Sequence, residues 1–288
     1  MTLLACVLTP DYVVLCADRR LSIKENGGYR VAEDEECKIV VYNMFSIWAY
    51  TGPARINNQP TAQWLTQELS GFKHRSYDLA ISYIAKRLGQ VIAPIPREFS
   101  RLTVISVGYM YFPELSGLTP VMAKISNFEQ PDGKFTMPKS KFLMQRSYLP
   151  DANGWYFTTC GQSLSHKQNS CLRRSISRPI ERNLHPSYVY PIFHEQFCRI
   201  SRALPLVGER ILIASIFKEQ ARRSYEGKDN HYLVGPDFMY FGPDAKRGLY
   251  YGPNFATTGG GAIVNLRGGS MTRAEALALA KKPISTLT

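Results

Sequence analysis

Apolar residues open the chain in two short runs, Leu3 to Leu8 and Tyr12 to Ala17, separated by Thr9-Pro10-Asp11. Proline and aspartate favour turns and valine- and leucine-rich runs favour strands, so the pattern predicts a β-hairpin at the N-terminus. A polar loop containing Gly27-Gly28 follows. Ile39 to Tyr42 and Phe45 to Tyr50 then predict a second strand pair around Asn43-Met44, closing at Thr51-Gly52-Pro53. The spacing next turns helical. Thr61 to Leu69 predicts one helix, and Tyr77, Ile81, Ile84, Leu88 and Val91 share a face of a second, with Ser76 as N-cap, Asp78 in the first turn and Pro94 beyond the end.

Strand-like runs return at Leu102 to Tyr111, Val121 to Ile125 and Trp155 to Thr159. After Gly161, helices are predicted around Leu164 to Ile176, Pro191 to Arg202 and Val207 to Arg222; the last puts Val207, Ile211, Ala214, Phe217 and Ala221 on one stripe. A strand at Asp237 to Phe241 follows Gly235-Pro236. Blocks of strands and helices in this order do not alternate as a parallel α/β fold does. They predict an α+β chain, a four-layer αββα sandwich of two antiparallel sheets between helices, over residues 1–244. From 245 to 288 the texture shifts to Gly and Tyr, which reads as a C-terminal arm. It ends in a helix, Ala274 to Lys281, opened by a Thr272/Glu275 capping box. The arm's Gly259-Gly260-Gly261 lacks the lysine of a phosphate-binding loop.

Composition changes this picture little. Hydrophobic residues make up 44% and charged residues 20% of the 288, which excludes a disordered chain. No apolar run approaches the roughly eighteen residues of a bilayer span, and Met1 to Ser22 lacks the basic start and apolar middle of a secretory signal, so a cytoplasmic protein is expected. The six cysteines have no CxxC or Cys/His pairing and read as reduced, mostly buried thiols. The five histidines show no metal-ligand spacing, and no serine sits in a GxSxG elbow; neither a metal nor another cofactor is expected. The formal charge of +12 is spread thinly, and its densest stretch, with Arg174, Arg178 and Arg182 at helical spacing if the helix survives Pro179, reads as a solvated face. Without a named nucleic-acid motif or aromatic-basic interleaving, nucleic acid is an unlikely partner.

The chemistry starts at Thr2. A threonine hydroxyl is a poor nucleophile unless a base removes its proton, and an N-terminal threonine carries that base in its own α-amine, whose reference pKa is about 7.7 to 8.0. Removal of Met1 would expose it, whereas a retained Met1 locks the nitrogen in an amide. Thr2 is followed by a hairpin whose second strand runs into Cys16-Ala17-Asp18-Arg19-Arg20-Leu21-Ser22, and later by Glu36-Cys37-Lys38-Ile39-Val40-Val41-Tyr42-Asn43 and Ala49-Tyr50-Thr51-Gly52-Pro53.

In these segments the chain resembles the proteasome β-subunits and their bacterial relatives, which are N-terminal-nucleophile hydrolases. The resemblance spans residues 2–244 and is specific in the first fifty or so. It implies that Thr2 attacks an amide bond of a peptide or other amide substrate, and that Lys38 is the cation stabilising the developing alkoxide. Asp18, sixteen positions after Thr2, would orient that cation, and the N–H of Gly52, fourteen positions after Lys38, would receive the oxyanion. Arg20 and Ser22 would line the substrate strand and Tyr50 would narrow the first specificity pocket. Pro53 departs from the family's small residue. Later echoes are weaker: Thr159-Cys160-Gly161-Gln162-Ser163 and Asp229-Asn230-His231-Tyr232-Leu233 stand where the family carries supporting polar residues, with Gln162 and Leu233 in place of serines, so that Gln162, Ser163 and Asp229 are the supporting candidates. The resemblance also implies a homo-oligomer, as a closed ring in some relatives, and leaves any ATPase partner open. The missing serines and the long arm keep a second reading in view, a catalytically silent proteasome-like module used for assembly or binding.

Overall fold

The computed structural model describes residues 2–226 apart from 26–27, 34–35, 43–44, 73–75, 113–116, 131–133 and 149–153, and beyond them 237–241, 249–251, 255–257, 263–265 and 270–272. The N-terminal hairpin forms as expected, with β1 (Leu3–Leu8) against β2 (Tyr12–Asp18) and Thr9 closing the turn through hydrogen bonds with Tyr12. The region expected as a polar loop carries two strands, β3 (Leu21–Glu25) and β4 (Gly28–Glu33), which pair as a ribbon. Ile23 and Val31 of this ribbon are exposed, so little burial marks it in the sequence. β5 (Ile39–Tyr42) and β6 (Ser46–Thr51) follow, then the two-residue pair β7 (Arg55–Ile56) and β8 (Gln59–Pro60).

Both helices of the first half form, α1 (Thr61–Gly71) and α2 (Tyr77–Ile92), and Ser76 caps α2 by accepting from the Leu79 N–H. β9 (Thr103–Phe112), β10 (Gly117–Ser126) and β11 (Leu143–Tyr148) come next; β11, an exposed edge strand, has no alternation in the sequence to announce it. β12 (Tyr156–Gly161) leads into α3 (His166–Glu181), whose N-terminus is a Ser165/Gln168 capping box and which continues through Pro179. Arg174, Arg178 and Arg182 all face solvent. α4 (Tyr190–Ala203) follows.

The predicted helix Val207 to Arg222 is a correction. Residues Ile211–Phe217 form strand β13, and the helix α5 spans Lys218–Tyr225. Ile211, Leu212, Ile213, Ala214 and Ile216 are all buried, so both faces of this segment are covered. A short run buried on both faces carries no period, and its three isoleucines favour the strand. β14 (Asp237–Phe241) is where the sequence places it. β15 (Leu249–Tyr251), β16 (Phe255–Thr257), β17 (Ile263–Asn265) and β18 (Ser270–Thr272) lie in the arm. The expected terminal helix and the Gly259-Gly260-Gly261 cluster lie outside the described residues.

Among the described residues the pairings are antiparallel and build two main sheets, β12-β1-β2-β13-β14-β15-β18 and β11-β10-β9-β6-β5. The arm thus adds β15 and β18 to the first sheet, and β16 pairs with β17. Alternation along β1 and β2 divides the core. Leu4, Cys6, Leu8, Val13, Leu15 and Ala17 join one apolar cluster with the second sheet and with α1 and α2. Leu3, Ala5, Val7, Val14 and Cys16 join another with Leu172 and Ile176 of α3 and Phe193 and Phe197 of α4. Each strand of the first hairpin is buried on both faces, which is why its sequence reads as an unbroken apolar run. No described helix is long and apolar enough to cross a membrane.

Candidate active site

Thr2 immediately precedes β1 and shares the parity of Leu4 and Cys6, the residues that face the second sheet. Its carbonyl extends the ladder to the neighbouring strand by accepting from the Gln162 N–H at 2.9 Å. Asp18 ends β2, directly across the hairpin. Its carboxylate accepts from the Leu3 N–H at 2.5 Å, the Arg20 N–H at 2.9 Å and the Gly208 N–H at 3.3 Å, so three backbone donors satisfy a side chain with no solvent exposure. A fourth contact comes from the other sheet. Lys38, just before β5, places Nζ 3.4 Å from Asp18 Oδ1 and 2.5 Å from the Arg20 carbonyl oxygen. The lysine is 3% exposed, and a buried ammonium is tolerable only when paired and hydrogen-bonded in this way.

Thr2, Lys38 and Gly52 line one cleft together with Arg20, Ser22 and Tyr50, and Leu21, Glu36 and Ala54 complete it. The cleft holds about 280 Å³ of empty space including its open mouth. Asp18 is not among the lining residues and meets the cleft through its pairing with Lys38. Gly52 has φ +136°, and a Cβ there would come within 2.3 Å of the Arg101 carbonyl oxygen, so only glycine fits the turn that brings this backbone to the cleft. Arg20 lines the cleft as well. Its guanidinium donates to the carbonyls of Pro205 and Val207, at 2.7 and 3.3 Å, and so holds the loop ahead of β13. The Ser22 hydroxyl oxygen is buried and has no hydrogen-bond partner among the described residues.

Tyr50 donates its phenol proton to Glu36 Oε1 at 2.9 Å. Burial, reinforced by the Glu36 charge, pushes this phenol well above its ordinary value, so it stays a neutral donor. Burial also pushes the Cys37 thiol up to about 11, which leaves the cysteine beside Lys38 an unreactive thiol. None of the six cysteines forms a disulfide; Cys6, Cys16, Cys160 and Cys198 are buried, Cys37 is partly so and Cys171 is exposed. No family model matches this chain, and comparison with curated proteins finds no match.

The supporting candidates divide. Gln162 reaches Thr2 through its backbone N–H, whereas its side-chain nitrogen goes to the Ser163 carbonyl and its side-chain oxygen is buried with no partner among the described residues. Ser163 is exposed and lies outside the cleft lining. Asp229 falls outside the described residues. No group of three or more His, Cys, Asp or Glu able to hold a metal ion occurs among the described residues.

Two contributors were not legible in the sequence. Thr51, at the end of β6, accepts from the Thr2 N–H and donates to the Thr2 carbonyl, each at 3.2 Å. Glu129, 5% exposed, pairs with Lys124 at 3.3 Å and accepts from the Gly161 N–H at the end of β12. Burial raises the Glu129 carboxyl, against the pull of the Lys124 ammonium. No motif signals either residue: each acts through a register that exists only once β6, β9 and β12 are in place.

Proposed function

We propose that this chain is an N-terminal-nucleophile amidohydrolase in which Thr2, exposed by removal of Met1, cleaves amide bonds of peptides or related substrates. The observation that carries the reading is the convergence of Thr2, Lys38 and Gly52 on one cleft, with the buried Lys38 held by Asp18 from the strand beside Thr2. Three segments far apart in sequence supply these groups, and the pairing that joins them is costly unless it is used or fully satisfied.

In the proposed reaction the Thr2 hydroxyl oxygen attacks the substrate carbonyl carbon while its proton passes to the Thr2 α-amine. The Lys38 ammonium stabilises the developing charge, and the Gly52 N–H receives the oxyanion of the tetrahedral intermediate. The α-ammonium then protonates the leaving nitrogen, the carbon–nitrogen bond breaks and an ester on Thr2 remains. Water, deprotonated by the same amine, attacks the ester and releases the acid, regenerating Thr2. The fold that goes with this reading is a four-layer αββα sandwich, α3 and α4 outside the first sheet and α1 and α2 outside the second; the two apolar clusters support it. Association of several copies, as a ring or otherwise, belongs to the same proposal.

A panel of fluorogenic amide substrates tests the reaction. Turnover by the wild-type chain that is kept in part by Thr2→Ser and abolished by Thr2→Ala is expected; turnover that survives Thr2→Ala contradicts it. The second reading, a silent module of the same fold used for binding, is favoured by Gln162, whose side chain bonds Ser163 and not Thr2 and whose buried oxygen has no partner among the described residues. It expects no turnover and unchanged partner capture in Thr2→Ala.

A further inference from the structure

Thr51 is 2% exposed, and among the described residues its hydroxyl makes two hydrogen bonds, both to Thr2. A threonine hydroxyl has a single proton and two acceptor lone pairs. Because that proton goes to the Thr2 carbonyl oxygen, Thr51 Oγ1 can only accept from the Thr2 nitrogen. The contact is built into the fold from two sides. Thr51 is in register with Thr103 across β6 and β9, which fixes its backbone. On the other side stands Gly161, at φ +87°, where a Cβ would lie 2.8 Å from Thr51 Cγ2, 2.9 Å from Thr51 Oγ1 and 2.2 Å from the Thr2 carbonyl oxygen. Thr2, Thr51 and Gly161 therefore interlock, and the side chain of Gln162, the sequence's candidate for this support, takes no part.

On the reading that Thr2 is the nucleophile, its nitrogen becomes the α-amine that serves as base. We propose that Thr51 is the residue that positions this base: by accepting one N–H of the amine, and having no proton to give it, Thr51 turns the amine so that its lone pair is left for the Thr2 hydroxyl proton. The same bond is stronger to the ammonium than to the neutral amine, since charge-assisted hydrogen bonds are the stronger kind. Thr51 thus holds the amine's titration higher than it would stand without the hydroxyl, and loss of that hydroxyl moves the acidic limb of the reaction to lower pH. A residue that merely fills space would lower the rate without moving the limb.

The test compares the full-length chain bearing a free Thr2, generated where needed by cleaving an N-terminal fusion, with Thr51→Val, which keeps shape without the hydroxyl, and Thr51→Ser, which keeps the hydroxyl. Two quantities are read across pH: the titration of the Thr2 amine, by competitive acylation with acetic anhydride, and the rate of Thr2 hydroxyl acylation by a β-lactone. Thr51→Val is expected to titrate at lower pH and to acylate about tenfold more slowly on the plateau, the order expected for loss of one positioning hydrogen bond, with Thr51→Ser close to wild type in both. Thr51→Ala replaces Thr51→Val if circular dichroism shows the latter unfolded. An unmoved titration in the hydroxyl-free variant, or Thr51→Ser behaving like it, overturns the assignment. A Thr2 amine whose titration depends on Thr51 but whose hydroxyl is never acylated would instead contradict the amidohydrolase reading and leave the Thr51 contact standing.

Discussion

Asp18 accepts hydrogen bonds from three backbone N–H groups and stands 3.4 Å from the buried Lys38 ammonium, so two strands, the loop before β13 and the second sheet all meet on one carboxylate. Removing one partner of such a pair leaves a buried charge uncompensated, whereas removing both does not. Asp18→Ala is therefore expected to cost about 3 to 5 kcal/mol in urea unfolding, and the double variant Asp18→Ala/Lys38→Met measurably less than the sum of the single losses. Additive losses would mean that the two charges do not depend on each other. Gly161 gives a second prediction at this scale. With its positive φ and the Thr2 carbonyl where a Cβ would sit, Gly161→Ala should lower stability by about 1 to 3 kcal/mol and slow any Thr2 chemistry, as read by thermal melting and acylation together. The residues carrying the first contact were legible because they lie next to strands that announce themselves: Thr2, Asp18 and Lys38 each flank or end an apolar run. Thr51 and Glu129 were not, because a hydroxyl or a carboxylate inside a strand-rich region gains its meaning from cross-strand register alone.

At the scale of elements, capped and amphipathic helices were readable and doubly buried strands were ambiguous. Ser76 marks the start of α2 through a local hydrogen bond that depends on no other element, so sequence suffices to find it. β13 is the opposite case: it sits between β2 and β14, apolar on both faces, and a stripe drawn through Val207, Ile211, Ala214, Phe217 and Ala221 ignores Leu212, Ile213 and Ile216 between them. A pH-dependent element lies in the turn between α3 and α4. The His185 ring nitrogen Nδ1 accepts the Ser187 N–H and the ring packs on Phe217, with centroids 5.1 Å apart. Burial lowers the imidazole below its ordinary 6.5. Between the lowered folded value and 6.5 the unfolded chain binds more protons, so the contribution of His185 is complete above 6.5 and is lost as pH falls through that window. Thermal melts from pH 8 to pH 5 should show a shallower loss of stability below 6.5 in His185→Asn, which retains an acceptor but does not titrate. An unchanged slope would place the acid sensitivity elsewhere.

Over the whole molecule, the meeting of the two main sheets decides where the cleft lies. The hairpin β1–β2 is buried on both faces, yet its open end, with Thr2 on one strand and Asp18 on the other, meets the edge of the second sheet where β5 and β6 present Lys38 and Gly52. Ends of strands, unlike their middles, can leave a small polar cleft without breaking the core. Thr2 therefore both leads into the first strand of the fold and lines the cleft. Intact mass of the purified chain, before and after incubation with a β-lactone that acylates N-terminal threonine, tests this most directly. Loss of Met1 and one stoichiometric adduct that is absent in Thr2→Ala are expected; a retained Met1, or a free Thr2 that never forms the adduct, would overturn the role of Thr2 as nucleophile.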